Sequence, residues 1–233
     1  MTLNTFNIMR KWIYLKSYNP ADALALATVL ASTSDNFYIV RQSFCTFIFK
    51  NLANVTIDYY TNGEELIVIN QIESKYWLEK CIYISETIGI ASQDEYIPYE
   101  GFIEHSPYLD SILQQEYALL YLFPNPYWNI DLILIDKVTK NFNQQKVDFI
   151  SGGSIILPCI NGTKDLREII NISKIAKFRK NIRFILTTED YITTIGEAFG
   201  IKVFIISEDN GIRLNGYPIY DANQIVNFIL SNL

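Results

Sequence analysis

The sequence predicts an α/β protein of two consecutive strand–helix halves that face a cleft, the second half the shorter. Three observations predict this. Apolar runs of strand length alternate with helix-length amphipathic runs along most of the chain. The apolar fraction is 49% and charged residues only 19%, so 233 residues supply a sizeable core and the chain is not of the disordered class. A polar, punctuated stretch, "KVTKNFNQQKVDFISGG", then separates an early series of elements from a late one. The expected division is 1–140 for the first half, 141–153 for a linker and 154–233 for the second half.

The elements follow in order. "KWIYLKS" reads as a first strand and "NPADALALATVLAST" as a helix, in which Asn19 serves as N-cap, Pro20 as first helical residue and Asp22 as a first-turn acid. "NFYIVR" is a strand. "QSFCTFIFKNLA" has an apolar period near 3.6 and reads as a helix. "NVTIDYY", "ELIVIN" and "CIYIS" are short β-rich runs. The stretch around Pro98, Gly101 and Pro107 is loop. "SILQQEYALLYLF" reads as a helix, "PNPYWN" breaks it, and "IDLILID" reads as a buried strand.

The last third repeats the theme. "SIILPCI" is read as a strand and "TKDLREIINISKIAKF" as an amphipathic helix capped by Thr163. "IRFILTT" is a strand, "EDYITTIGEAF" a helix with Gly200 as its C-cap, "IKVFIIS" a strand, and "DANQIVNFILSNL" a closing helix. This pattern gives two Rossmann-like halves with mostly parallel sheets.

Charge and cysteine content exclude several classes. The net charge is −6 and the isoelectric point about 4.9, against a nucleic-acid partner. The basic run at Lys174–Lys180 suits a solvated helix end. Cys45, Cys81 and Cys159 have no zinc or redox spacing and read as reduced thiols of a cytoplasmic protein. His105 alone makes no histidine metal site. No apolar run approaches a membrane span. Arg10, Lys11, Lys16 and "ALALATVLA" imitate a signal peptide, but Pro20 and Asp22 interrupt it. The sequons at Asn54, Asn161 and Asn171 then carry no weight.

Ligands of such sheets bind beyond the carboxyl ends of the strands. The loops to search are Ser17–Asp22, Cys159–Lys164, Thr187–Asp190 and Ser207–Gly211. Asp22 is either a helix-capping acid or a working carboxylate. Thr187 and Thr188 are strand-end β-branched residues or ligand hydroxyls. Glu189 and Asp190 are ordinary first-turn acids unless a ligand meets them, and Lys164 and Arg167 are solvated helix residues or anion partners. The "NPYWN" aromatics pack a linker or stack on a sugar ring.

"LKSYNPADALALATVL" resembles the opening of the heptosyltransferase-like glycosyltransferases, with Asp22, Leu24 and Leu30 on that family's aspartate and leucines. "YISETIGIAS" resembles its mid-domain segment. "NGTKDLREIINISKIAKFRKNIRFILTTEDYITTIGEAFGIKVFIIS" resembles its donor-side run, through Gly162, Leu166, Arg167, Glu168, Gly200, Ile201 and Val203. The sequence departs from the family at Ala21, which stands for a glycine, and at Glu189 to Thr194, which stand for Asp-Ser-Gly-Pro-x-His. Tyr191 replaces the motif's glycine and Thr194 its histidine, and two acids stand where a diphosphate would meet a helix N-terminus.

The resemblance implies a GT-B-like fold and an inverting, metal-independent transfer of a sugar from a nucleotide-diphosphate sugar to a glycan, lipid-linked or other hydroxyl acceptor. Asp22 would be the general base. Thr187, Thr188, Glu189 and Asp190 would hold the donor diphosphate through backbone amides and hydroxyls, with Lys164 or Arg167 neutralising charge. Tyr18 and Asn19 would lie on the acceptor side. The nucleotide sugar is a substrate, and no cofactor is implied. The departures support an alternative: a non-catalytic binding or assembly subunit of the same fold that has lost its donor site.

Overall fold

The structure, a computed structural model, describes residues 10–61, 63–124, 129–206, 212–214, 217–219 and 221–233. The chain divides into two units, Met1–Phe102 and Ile103–Leu233.

The first unit runs β1 (Lys11–Leu15), α1 (Pro20–Ala31), β2 (Phe37–Val40), β3 (Val55–Asp58), β4 (Glu65–Ile69) and α2 (Trp77–Ile88). Its sheet has the order β3-β2-β1-β4, and every pairing is parallel. Asn19 caps α1, its side-chain oxygen accepting from the Ala21 amide at 2.9 Å, and Pro20 opens the helix as the sequence predicts. Every residue from Ala21 to Leu30 is buried. The small residues at 21, 23, 25 and 27 let α1 press closely on its neighbours without adding side-chain entropy loss.

One face of this sheet is closed by Ile13, Leu15, Phe37, Ile39 and Ile69, all at 1% exposure or less. Each such burial is worth about 1.5–3 kcal/mol. On the other face Trp12 lies against Tyr38 at 4.9 Å and Tyr60 at 5.7 Å, while Leu66 and Val68 stay exposed. The β3–β4 crossover holds no helix among the described residues.

Two expectations fail here. "QSFCTFIFKNLA" forms only a 3-10 turn, Thr46–Phe49, because Cys45 turns into the left-handed region at φ 55°. "CIYIS" is not a strand but the middle of α2. The buried residues Trp77, Lys80, Cys81, Ile84, Ser85 and Ile88 repeat at helical spacing, which a five-residue window hides.

The second unit runs α3 (Pro107–Ile112), β5 (Tyr117–Leu122), α4 (Leu132–Gln144), β6 (Phe149–Gly153), β7 (Thr163–Asp165), α5 (Ile172–Lys177), β8 (Ile182–Thr187), α6 (Tyr191–Phe199), β9 (Val203–Ile206), β10 (Ile212–Leu214), β11 (Tyr217–Ile219) and α7 (Ala222–Ser231). The sheet order is β11-β10-β9-β8-β5-β6-β7. It is parallel from β9 to β7 and ends in an antiparallel hairpin. α4 and α7 close one face over Leu120, Phe149, Phe184 and Phe204. Gly153, at φ 90°, brings its backbone against Leu122, where an added Cβ would stand 2.2 Å from the Leu122 carbonyl oxygen. Gly200, at φ 70°, ends α6, as expected of a left-handed C-cap.

The expected linker at 141–153 is the end of α4 and all of β6. Its polar residues are the solvent face of a helix whose buried stripe is Ile135, Val138, Thr139 and Phe142. "IDLILID" is therefore the start of that helix, capped by Asp131, whose carboxylate accepts from the Leu134 amide. With the boundary at 102/103, the second unit is the longer of the two. "SILQQEYALLYLF" splits into the end of α3 and the wholly buried strand β5. "SIILPCI" forms no strand. "TKDLREIINISKIAKF" divides into β7 and α5, and the cap is Asn171, not Thr163. Residues 125–128 of "NPYWN" and the Ser207–Gly211 loop lie outside the described residues.

Candidate functional site at the two topological switch points

In each sheet the chain builds outward on one side of a first strand and then returns to its other side. In the first unit β1 leads to β2 and β3, and β4 then pairs with β1. In the second, β5 leads to β6 and β7, and β8 then pairs with β5. The carboxyl ends of β1/β4 and of β5/β8 are thus topological switch points, where open α/β sheets take their ligands. Asp22 follows β1, and Thr187–Asp190 end β8, so the sequence-selected residues stand at these two places.

At the first switch point Asp22 is 0% exposed. Its Oδ1 accepts from Lys80 Nζ at 2.5 Å. Its Oδ2 accepts from Ser17 Oγ at 2.5 Å and from the Ile72 amide at 3.1 Å. Lys80, 1% exposed, also donates to the Ile72 carbonyl at 2.7 Å. The Ile72 peptide, in the loop after β4, therefore touches both members of a buried ion pair. A buried charge is tolerated only when paired and hydrogen-bonded in this way. Asp22 is more than a first-turn acid: it ties the β1–α1 turn to the β4–α2 loop and to α2. Asn19 spends its side-chain oxygen on the helix cap. Tyr18 is 81% exposed, with its ring edge on Phe44 at 5.6 Å.

At the second switch point the hydroxyls are engaged within the unit. Thr187, fully buried, accepts from the Glu189 amide at 3.0 Å. Thr188 Oγ1 accepts from the Phe123 amide at 2.9 Å and donates to the Phe123 carbonyl at 3.1 Å, clasping the end of β8 to the end of β5. Burial, and then the neighbouring Asp190 carboxylate, push Glu189 above the usual glutamate range. Burial also raises the Tyr121 hydroxyl, which hydrogen-bonds Tyr191 and feels the Glu189 charge. Asp190 is exposed.

Lys164 is exposed on the edge strand β7. Arg167 pairs with Asp165 at 2.6 Å and donates to the Leu157 carbonyl. Neither is the helix residue expected, because β7 and a turn replace that part of the helix. Arg167 already has its carboxylate and carbonyl partners. Among the described residues no group of three or more His, Cys, Asp or Glu is placed to hold a metal ion, and no helix is long and apolar enough to cross a membrane. A pocket of about 290 Å³ opens at the far end of α1, lined by residues that include Thr28, Ser32, Gln93 and Tyr96. Its nearest lining residue on α1, Thr28, lies about two helical turns from Asp22, roughly 9 Å along the axis.

No protein-family model matches the chain, and no curated protein matches it. Solved structures do. The iron-containing dodecameric glycosyltransferase TibC from enterotoxigenic E. coli matches with a TM-score of 0.57 at 11% identity, over 91% of this chain and 61% of that one. A glycosyl transferase family 9 protein from Veillonella parvula matches with a TM-score of 0.54 at 8% identity, over 83% of this chain and 79% of that one. The E. coli ADP-heptose lipopolysaccharide heptosyltransferase II matches with a TM-score of 0.53 at 8% identity, over 96% and 98%. The fold is glycosyltransferase-like. This chain spans about three fifths of TibC, which has also been solved with ADP-D-β-D-heptose.

On this fold the residues that the sequence selects, Asp22 and the Thr187–Asp190 turn, have partners that it does not reveal. Lys80, Ser17 and the Ile72 peptide complete the first switch point, and Tyr121 and the Phe123 backbone complete the second. A signal for Lys80 existed. In "WLEKCIYISETI" the lysine sits on the stripe of Trp77, Cys81, Ile84 and Ile88, a charge on a face meant for the core.

Proposed function

We propose that the chain is a glycosyltransferase that moves a sugar from a nucleotide-diphosphate sugar to a hydroxyl acceptor, with Asp22 as general base. The observation that carries this reading is the place of Asp22. It is the one carboxylate buried among the described residues, and it stands at the β1/β4 switch point of a glycosyltransferase-like fold. An inverting transfer needs a base for the acceptor proton and donors for the leaving diphosphate. Asp22 performs the first task once the Ile72 peptide withdraws from it, with Tyr18 and Asn19 beside it toward the acceptor. The backbone at Thr187–Asp190 is assigned the second, with Lys164 or Arg167 balancing charge.

The second switch point favours a second reading, a non-catalytic binding or assembly subunit. The Thr187 hydroxyl is engaged by the Glu189 amide and the Thr188 hydroxyl by the Phe123 backbone, and Glu189 and Asp190 oppose an anion at the start of α6. Calorimetry and thermal shift with ADP- and UDP-sugars separate the two. A catalytic chain binds at least one nucleotide sugar and gains melting temperature, and Asp22→Ala abolishes transfer while the nucleotide still binds. Absence of any shift across the common nucleotide sugars selects the second reading. Full transfer by Asp22→Ala removes Asp22 as the base.

A further inference from the structure

We propose that Lys80 and the Ile72 peptide form a latch that keeps Asp22 out of reach, and that release of the 70–76 loop uncovers its carboxylate. This rests on the reading of Asp22 as the base and concerns the regulation of that site.

Three observations carry it. Asp22, Lys80 and the Ile72 peptide close a ring of three contacts: Lys80 to Asp22 at 2.5 Å, the Ile72 amide to Asp22 at 3.1 Å, and Lys80 to the Ile72 carbonyl at 2.7 Å. Between Asn70 and Tyr76, Ile72 is the only buried residue, while Gln71, Glu73, Lys75 and Tyr76 are exposed. The loop thus reaches the interior at Ile72, whose peptide bonds both the carboxylate and the Lys80 ammonium. Finally, Ser17 Oγ, the remaining partner of Asp22, belongs to the β1–α1 turn and also accepts from the Asn19 amide at 3.1 Å, so it stays with Asp22 when the loop leaves.

The physical consequence is bistability. With the loop closed, both carboxylate oxygens are hydrogen-bonded and buried, and no acceptor hydroxyl reaches them. With the loop lifted, the Ile72 amide leaves Oδ2 and the Lys80 ammonium loses one of its two acceptors. A buried ion pair whose partners lie on different segments is suited to such a two-state element. An acceptor that binds the open form better than the closed one then shifts the population toward the exposed base.

The test needs no nucleotide sugar, so its failure is distinct from failure of the glycosyltransferase reading. Amide hydrogen exchange is followed in the full-length protein, and accessible carboxylates are labelled with a carbodiimide and glycine amide and mapped by mass spectrometry. In Lys80→Met the Ile72 amide should exchange about a hundredfold or more faster than the Ile13 amide of β1, a gap absent from the unaltered protein. Asp22 should become labelled. Ser17→Ala, which leaves the ring of three contacts whole, should keep Ile72 as protected as before. If Lys80→Met does not fold, Asp22→Asn reads the same amide, with rapid exchange expected and retained protection contrary to the proposal. A folded Lys80→Met with Ile72 still protected and Asp22 unlabelled overturns the latch, as does a Ser17→Ala variant that opens Ile72 equally.

Discussion

The two switch points occupy equivalent places in their sheets and are closed by different chemistry. Beyond β1 and β4 the closure is a buried ion pair with a single peptide held between its members. Beyond β5 and β8 it is a neutral threonine hydroxyl, partly exposed, bonded to both polar groups of Phe123. The difference lies in what each loses on opening. A neutral hydroxyl and an amide exchange protein partners for water at small net cost. A desolvated charge stripped of its partner costs several times more. The first closure therefore acts as a unit, and the second loosens bond by bond.

Mutations can break or sharpen this contrast. The largest effect is expected from Lys80→Met, which takes the counter-ion from Asp22. Chemical denaturation should show a loss of about 3–5 kcal/mol, and the double variant Asp22→Leu/Lys80→Met should recover most of it. An additive double variant would show that the two residues do not act as a pair. Thr188→Val keeps the shape of the second closure and removes its two hydrogen bonds. Its expected cost is about 1–2 kcal/mol by the same measurement. A cost equal to that of Lys80→Met would erase the distinction between the two sites.

The smallest effect is expected at Glu189 and appears in the pH dependence. Its folded-state value is raised by burial and by Asp190. The stability that goes with such a raised acid is fully present below the unfolded value and is lost as pH rises through the folded value. Raising the pH from below 4.5 to neutrality should therefore cost the unaltered protein more than Glu189→Gln, read from melting temperatures across that range. Equal profiles would place Glu189 in an environment no different from solvent.

Much of the fold was legible where the signal is local. Asn19 before Pro20 announced the start of α1, Gly200 announced the end of α6, and "IRFILTT" and "IKVFIIS" gave β8 and β9. The errors share one cause. "CIYIS", "IDLILID" and "YALLYL" are apolar runs too short to show their period in isolation, so helix and strand were exchanged. The supposed linker was polar because α4 turns one face to solvent. At the site, Asp22 was visible because it breaks an apolar helix start. Its partner Lys80 was hidden while its helix was read as a strand.

The sequence alone determined the alternation of strands and helices, the caps of α1 and α6, and the position of an acid at the turn after the first strand. These follow from interactions within a few residues, which any window of the chain contains. Only the tertiary structure decided where the two units divide, that β5 and β1 are the strands about which the sheets reverse, and that Asp22 is buried against a lysine 58 residues away. Pairing over that distance depends on the order of strands in the sheet, and strand order is set by the packing of all the elements together.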